Sequence, residues 1–295
     1  MTSKLRQFSR QVAFLQTKIG TSSRAKWRLS LHQTENMKHS LSELLLIPIA
    51  ILLVGSGLLL VFLTAPDHSP KPVEPPVPDF AAMTDVKEKK QAFFDFMLPL
   101  VRSANDGIRE EQRKLNAITT QVNDGQDLSE ADATWLNSLA LRYRVKGDPV
   151  TDPGILSQLK RRVGPIPASL VLAQAANESA WGTARFARNG KNFFGIWCWA
   201  RDCGLVPERR DEGAKHEVAA FSSVRAGAEY YLLTLNSHPA YQRLRDIRDR
   251  HRADDKPPSG NALAAGLINY SERREAYVEE IRSMISFNKL ETYNR

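Results

Sequence analysis

Residues 44–63 read LLLIPIAILLVGSGLLLVFL and contain no charged side chain. About 20 apolar residues are enough for a helix to cross the hydrocarbon core of a bilayer. A buried core helix is seldom apolar on all sides over this length, and a cleaved signal peptide would not have 43 residues ahead of its apolar part. The run therefore predicts a single membrane-spanning helix over residues 44–64.

Basic residues are concentrated ahead of this run. Residues 1–43 hold eight Lys and Arg against two Glu, a formal charge of +6, and the rest of the chain contributes only +2 to the total of +8. Because segments rich in Lys and Arg stay in the cytoplasm, we expect residues 1–43 to form a basic cytoplasmic tail. The remainder then lies beyond the inner membrane, in the periplasm. Its nearly balanced charge argues against a nucleic-acid-binding surface.

The region after the apolar run divides into three parts. Residues 65–82 are rich in proline and predict an extended spacer. Apolar residues at helical spacing predict a helical N-terminal part over residues 83–150. Residues 151–290, which hold the motifs described below, are expected to form a second domain. The expected helices are Val86–Ile118 with an interruption near Pro99, a helix that Ser129 caps, and Ile155–Val163. With 42% apolar and 25% charged residues, the chain is neither disordered nor a multi-span transporter.

Glu178 is the candidate for chemistry that the residues themselves suggest. Pro167 suits the first turn of a helix, and Ser169–Asn177 is a good helix former. Glu178 then shares one stripe with small apolar residues and lies near Trp181. Burial on such a face raises the pKa of a carboxyl group, as a glycosidase requires of its general acid. The alternative is a glutamate that caps the helix or pairs with Arg185.

Two cysteines, Cys198 and Cys203, are five positions apart. In an oxidising compartment, two thiols this close are expected to form a disulfide. A metal site would need further ligands nearby, and His216 stands alone, so we favour the disulfide over a metal.

Several motifs resemble one known family. Residues 173–182 read AQAANESAWG and residues 192–196 read NFFGI. Both are similar to signatures of bacterial peptidoglycan glucosaminidases, the lysozyme-like domains of the mannosyl-glycoprotein endo-β-N-acetylglucosaminidase type. Residues 204–213, 216–218 and 270–278 resemble the Bax-like subgroup of that family. The resemblance extends over roughly residues 91–285 and implies a mainly α fold, a lysozyme-like helical domain with a small β-hairpin lobe.

The resemblance also implies site residues. Glu178 matches the family's general acid, and Tyr270 matches the tyrosine that faces it across the cleft. A second tyrosine usually follows six residues later, whereas Tyr277 follows seven later, so a core position is its alternative. The residues implied to bind substrate are Trp181, Asn192, Phe193, Phe194, Trp197 and Tyr277. Packing in the cleft wall is the alternative for Trp181.

Family members have a second acid in the β-lobe. The candidates here are Glu208, Asp211, Glu212 and Glu217. We rank Glu217 first and Glu212 second, because both lie in segments that resemble the Bax-like subgroup. The alternative is a solvated, charged hairpin.

Together these features predict a membrane-anchored peptidoglycan hydrolase that cleaves β-1,4 bonds after N-acetylglucosamine. Glu178 would protonate the leaving oxygen, and water attack would be guided by a second carboxylate, by Tyr270 or by the substrate's acetamido oxygen. The expected partners are peptidoglycan strands and the inner membrane, without cofactor, metal or nucleic acid. The alternatives are a lytic transglycosylase on the same fold and a non-catalytic peptidoglycan-binding module.

Overall fold

The computed structural model describes residues 74–208, 210 and 213–294. The predicted cytoplasmic tail, the predicted membrane-spanning helix, residues 65–73 of the predicted spacer, Asp211 and Glu212 lie outside the described residues. Within the described part, no helix is both long and apolar enough to cross a bilayer.

Helices make up most of the described chain, which confirms the mainly α prediction. They are α1 (Val86–Asn123), α2 (Glu130–Arg142), α3 (Pro153–Arg162), α4 (Ala168–Glu178), α5 (Arg185–Gly190), α6 (Val224–Ser237), α7 (Gln242–Ala253), α8 (Gly260–Ala264) and α9 (Glu275–Phe287). Short 3₁₀ turns cover Pro239–Tyr241, Ala265–Leu267 and Leu290–Tyr293. The expected β-lobe is a three-stranded antiparallel sheet of β1 (Trp197–Cys198), β2 (Gly204–Leu205) and β3 (Glu217–Ala219), with β3 in the middle.

Helix α1 is continuous over 38 residues, so the interruption expected near Pro99 is absent. Asp85 caps its start by accepting a hydrogen bond from the Glu88 backbone N–H at 2.8 Å. A proline removes one backbone donor and does not end a helix that packing holds on both sides. Buried residues before and after Pro99 provide that packing, from Phe93 to Ile118.

Helix α4 lies at the centre of the fold and carries Glu178 at its last position. All of Ala168–Ala176 is buried, because α1, α8, α9 and the Leu290–Tyr293 turn pack around it. This burial explains why the sequence of α4 has almost no polar face. The packing of α4 therefore fixes the position and direction of the Glu178 side chain at the edge of the core.

Helix α7 is more deeply buried than its charged sequence suggests. Arg248 is buried and donates to the Gly164 carbonyl at 2.7 Å and to the Asn236 side chain at 2.6 Å. It also donates to the carbonyl of Arg161 at 3.0 Å. These bonds pair Nη1 and Nη2 of the buried guanidinium with carbonyls of the turn that leads into α4. Its Nε has no hydrogen-bond partner among the described residues.

Residues 74–82 pack on the domain, whereas the proline pattern predicted an extended spacer. Phe80 is buried against Phe93 and Phe96 of α1. The Glu74 carboxylate accepts hydrogen bonds from the backbone N–H groups of Val224 at 2.8 Å and Arg225 at 3.0 Å. A carboxylate at this position caps the N-terminus of α6 and interacts favourably with its dipole.

Candidate active site

The chain turns sharply where α4 ends, and this turn presents Glu178. Ser179 is the C-cap, and its hydroxyl donates to the Ala175 carbonyl and accepts from the Gly182 backbone N–H at 2.8 Å. Ala180 and Trp181 then take left-handed φ angles of 49° and 59°. Such angles are costly for residues other than glycine and cluster at functional sites.

A relay of hydrogen bonds holds one oxygen of Glu178. The Tyr277 hydroxyl donates to Glu178 Oε1 at 2.6 Å. Gln174 Nε2 donates to the Tyr277 oxygen at 2.9 Å, and the Tyr231 hydroxyl donates to Gln174 Oε1. Gln174, Tyr231 and Tyr277 are buried. The relay therefore fixes the orientation of the carboxyl group from inside the core.

The pKa of Glu178 is raised, and burial is the main cause. Hydrogen bonds from Tyr277 and Asn177 act in the opposite direction, because they stabilise the ionised form. Desolvation outweighs them, so Glu178 retains its proton at pH values where an ordinary glutamate is ionised. This is the protonation state that a general acid needs.

The second oxygen of Glu178 lies beside Gly195. A β-carbon built on Gly195, where φ is +61°, would be 3.3 Å from Glu178 Oε2. Any larger side chain would crowd the oxygen and would also strain the backbone. Since Gly195 and Glu178 both line the same cleft, this glycine keeps access to Oε2 open.

The cleft has a volume of about 980 Å³, at the upper end of the range for ligand sites. Its lining contains Arg144, Asn177, Glu178, Gly195, Ile196, Trp197, Trp199, Tyr230, Tyr231, Thr234, His238, Tyr241, Asn269, Tyr270, Ser271, Glu272, Arg273, Arg274 and Tyr277. Aromatic rings, arginines and two carboxyl groups thus surround one open space.

Tyr270 and Tyr277 are both in the lining, but their contacts differ from those that the resemblance implied. Tyr277, for which a core position was the alternative, contacts Glu178 directly. The Tyr270 hydroxyl donates to the Phe194 carbonyl at 2.6 Å, and its ring stacks on Tyr277 with a centroid distance of 5.5 Å. Burial raises the pKa of both phenols, so both remain protonated donors. Tyr270 therefore supports Tyr277 and is not itself bonded to Glu178.

Two further tyrosines, Tyr231 and Tyr241, lie beside the ring of Tyr270. Burial raises the pKa of Tyr231 well above its ordinary value and that of Tyr241 to about 12. Tyr231 stacks on Phe194 at 4.2 Å, and Tyr241 lies 6.1 Å from the Tyr270 ring. We call Tyr231, Tyr241, Tyr270 and Tyr277 the tyrosine cluster.

Glu217, our first choice for the second carboxylate, does not line the cleft. It is buried in β3, where its two oxygens accept hydrogen bonds from the backbone N–H groups of Asp202 at 3.1 Å and Gly204 at 2.8 Å. These bonds hold the turn between β1 and β2. Glu208 is not in the lining either. It is exposed, and its carboxylate lies 3.3 Å from the guanidinium of Arg185.

A disulfide joins Cys198 and Cys203 across the same turn. The Glu217 carboxylate lies close to both sulfur atoms. Sulfurs bonded to each other are not the thiolates that bind metal ions, so this cluster does not form a thiolate metal site. Glu217 and the disulfide instead close one turn from two sides.

The residues implied to bind sugar fall into two groups. Trp197 is half-exposed in the cleft lining, and its ring stacks on His216 at 4.3 Å. Trp181 packs on Phe93 and Phe94 of α1, under Lys90, and does not line the cleft.

Asn192, Phe193 and Phe194 form the second group and are buried. The Asn192 side chain donates to the Ile196 carbonyl at 2.9 Å and the Ala219 carbonyl at 2.8 Å. The two phenylalanines pack in the core. The first three residues of the NFFGI motif therefore shape the loop that presents Gly195 and do not line the cleft, whereas Gly195 and Ile196 do.

Most of the lining residues, and Gln174 of the relay, are not among the site residues predicted from the sequence. Gln174 belongs to the AQAANESAWG motif and precedes Glu178 by four residues, a spacing that places both on one helix face and could have revealed it. Glu272 lies within residues 270–278, which resemble the Bax-like subgroup, whereas Tyr231 comes from α6 without a local signal. Trp199 is 71% exposed and lines the cleft. In the sequence, only its position two residues after Trp197 suggested that it could contact a sugar.

Comparisons with known proteins identify the family of this chain. The family model described as mannosyl-glycoprotein endo-β-N-acetylglucosaminidase matches residues 155–290, which include α4, the sheet and α9. The chain is 32% identical over 213 residues to Protein bax of Escherichia coli (strain K12), covering 72% of this chain and 74% of that protein. No solved structure matches the chain. The chain therefore belongs to the glucosaminidase family, a family of glycoside hydrolase type.

Proposed function

We propose that this protein is a peptidoglycan hydrolase that cleaves the β-1,4 bond after N-acetylglucosamine, with Glu178 as the general acid. The observation that supports the proposal is the environment of the Glu178 carboxyl group. Burial raises its pKa, Tyr277 binds its Oε1, and its Oε2 lies beside the open cleft. The preference for peptidoglycan is supported by the motifs shared with peptidoglycan glucosaminidases and by the bacterial relative.

The proton has a defined route in this proposal. Glu178 Oε1 already accepts a hydrogen bond from Tyr277, so the transferable proton is on Oε2. It passes to the glycosidic oxygen as the bond to the anomeric carbon breaks, and the leaving sugar departs as an alcohol. The Tyr277 hydrogen bond then stabilises the carboxylate that remains.

The acetamido oxygen of the substrate attacks the anomeric carbon as the glycosidic bond breaks, a known exception to the two-carboxylate rule. Water then attacks the same carbon, the bond to the acetamido oxygen breaks, and the Glu178 carboxylate takes the proton of the water, which restores the general acid. Two other candidates are occupied: both Glu217 oxygens accept backbone hydrogen bonds, and the Tyr270 hydroxyl donates to Phe194. Glu272 is the other carboxylate among the described lining residues, and its variant distinguishes this route from a two-carboxylate one.

The sugar rings are held by the exposed indoles at the cleft. Trp197 and Trp199 are 52% and 71% exposed, unusual values for tryptophan, and both line the cleft. An indole ring can pack against the apolar face of a pyranose while the sugar hydroxyl groups stay in water.

The test is release of reducing ends from purified peptidoglycan by the full-length protein and by its Glu178→Gln, Glu272→Gln and Glu217→Gln variants. We expect only Glu178→Gln to abolish turnover. An inactive Glu272→Gln variant would replace the acetamido route with a two-carboxylate one. Products with an anhydromuramic end would instead identify a lytic transglycosylase, and binding without turnover by the wild type would identify a peptidoglycan-binding module.

We further propose that residues 44–64 anchor the protein in the inner membrane, with residues 1–43 in the cytoplasm and the cleft in the periplasm. The charge-free apolar run and the basic residues ahead of it support this arrangement. A reporter that is active only in the periplasm should function when fused after residue 295 and fail when fused at residue 1. The reverse result would contradict the orientation.

A further inference from the structure

We infer that Arg144 and Arg274 form a subsite for a carboxylate group carried by the glycan, an inference that rests on the function proposed above. Both side chains are exposed and line the cleft that contains Glu178. Neither the sequence motifs nor the general-acid chemistry gives them a role.

Hydrogen bonds link both arginines to residues 237–240, which include the 3₁₀ turn before α7. Arg274 donates to the Asn269 side chain, and Asn269 donates to the Ala240 carbonyl at 3.2 Å. Ala240 lies in the 3₁₀ turn before α7, two residues after His238. The carbonyls of Arg144 and of Ser237, the residue before His238, both accept from Arg162 Nη1, at 2.9 Å and 3.1 Å. Arg144 and Arg274 are therefore both connected to residues 237–240, and both line the cleft.

The fold does not neutralise these two charges. Among the described residues, neither Arg144 nor Arg274 forms an ion pair, whereas Arg273 lies 2.9 Å from Glu280. Both also occupy left-handed backbone positions, with φ angles of 59° and 52°. Such strain persists where a position is needed for function more than for stability.

The position of Arg274 is electrostatically unfavourable in the unliganded protein. It is the N-cap of α9 and makes no side-chain cap hydrogen bond. A helix N-terminus carries partial positive charge and free N–H groups, so a cation there is disfavoured. An anion would reverse the balance, because it would interact favourably with the guanidinium and with the helix end.

The chemistry of the pair selects a carboxylate. A guanidinium group binds a carboxylate through two parallel hydrogen bonds, a geometry that hydroxyl and acetamido groups do not offer. A neutral oligomer of N-acetylglucosamine has only those latter groups. Peptidoglycan carries carboxylates on its stem peptides and, where the peptides have been removed, on the lactyl groups of muramic acid. The inferred substrate is thus an acidic glycan.

The experiment compares full-length wild type with the double variant Arg144→Gln/Arg274→Gln. Arg250→Gln is the matched control, because Arg250 is exposed, lies outside the cleft lining and forms no ion pair with the described residues. Arg273 is left intact, since its charge acts on the pKa of Glu178. Three soluble glycans are used: peptide-bearing strands, strands stripped by an amidase, and neutral N-acetylglucosamine oligomers.

We expect the double variant to raise the ratio of KM for peptide-bearing strands to KM for neutral oligomers roughly 10-fold. The control should leave this ratio unchanged. If stripped strands show the same selective loss, the lactyl carboxylate is sufficient, and if they do not, the stem peptide is the source. An unchanged ratio would overturn the inference.

The same comparison is made by direct binding with Glu178→Gln as the background, in which no turnover is expected. Affinities are measured by titration calorimetry with the three glycans. Selective weakening in this assay supports the carboxylate subsite even where the proposed hydrolysis fails. Equal affinities of parent and double variant for all three glycans would exclude it, whatever the activity.

Discussion

The helical core and the small sheet each withdraw one glutamate from water, and they use its carboxylate differently. Glu217 in β3 accepts backbone hydrogen bonds on both oxygens and fixes the turn between Asp202 and Gly204. Glu178 at the end of α4 accepts a hydrogen bond from Tyr277 on one oxygen only, and the other lies at the cleft beside Gly195. One carboxylate is a structural acceptor, and the other keeps an oxygen available to a substrate.

This contrast shows that burial alone does not identify a catalytic acid. Both Glu217 oxygens are held by backbone N–H groups of the turn, and Glu217 is not in the cleft lining, so neither oxygen is presented to a ligand there. At Glu178, the Tyr277 hydroxyl binds only one oxygen and burial raises the pKa of the carboxyl group, so the other oxygen stays accessible from the cleft. The experiments below alter Glu178 or its partner Tyr277 in the helical core, and the disulfide or Glu217 in the sheet.

The largest expected effect is that of Glu178→Gln. The amide keeps the shape of the side chain but has no transferable proton, and general acid catalysis contributes about 10²–10⁴ in rate. We expect a loss of at least that order in kcat on purified peptidoglycan, with Glu217→Gln as the comparison. In the wild type, activity should fall as pH rises through the folded pKa of Glu178.

Stability distinguishes this loss from misfolding. A carboxyl group with a raised folded pKa contributes its full stability below the unfolded pKa and loses it as pH rises through the folded pKa. At neutral pH, Glu178→Gln should therefore be at least as stable as the wild type in urea unfolding. A clear loss of stability, or retention of more than about a tenth of the rate, would contradict the role of Glu178.

Tyr277→Phe should have the next largest effect. Removing the hydroxyl removes a hydrogen bond that favours the ionised Glu178, so the pKa of Glu178 should rise further. The fall of activity with pH should then move to higher pH, and the rate should drop about 10-fold because the carboxyl is less well oriented. Tyr270→Phe is the control, since its hydroxyl binds the Phe194 carbonyl. If the pH profile of Tyr277→Phe were the same as that of the wild type, Tyr277 would not influence the pKa of Glu178.

In the sheet, the double variant Cys198→Ser/Cys203→Ser should lower the free energy of unfolding by about 2 kcal/mol. The bond closes a short loop, and the chain-entropy argument gives this magnitude for a loop of about six residues. Differential scanning calorimetry under non-reducing conditions provides the measurement. Wild-type protein in a reducing agent should unfold at the same temperature as the variant. An identical Tm for oxidised wild type and variant would contradict this.

Glu217→Gln should have a smaller effect, on stability and not on the chemical step. The amide retains one acceptor oxygen and places an NH₂ group against a backbone N–H, at a cost of about 1–2 kcal/mol. Glu208→Gln is the matched control and should change stability by less than about 0.5 kcal/mol, because Glu208 is an exposed surface residue. A stable but inactive Glu217→Gln variant would remove the contrast between the two glutamates.

The sequence predicts the parts of this site that are local. The stripe on α4 and the AQAANESAWG motif single out Glu178, and the cap of α2 at Ser129 is confirmed by its hydrogen bond to Asp132 N–H. The relay through Tyr231 is not predictable in this way, because α6 approaches α4 only in the folded chain. The same limit applies to Glu217. Alternation along β3 shows which residues share a face but not which backbone N–H groups the neighbouring strands bring to them.

The tyrosine cluster also gives the folded protein an optical signature at alkaline pH. Tyr143 and the four tyrosines of the cluster have pKa values raised by burial, and they are five of the seven tyrosines in the chain. Their stabilisation is complete below the unfolded pKa of about 10 and is lost progressively above it. In an alkaline titration, tyrosinate absorbance near 295 nm should therefore appear only at pH values where the protein also unfolds. The absorbance then reports whether the packing of the tyrosine cluster beside Glu178 is intact.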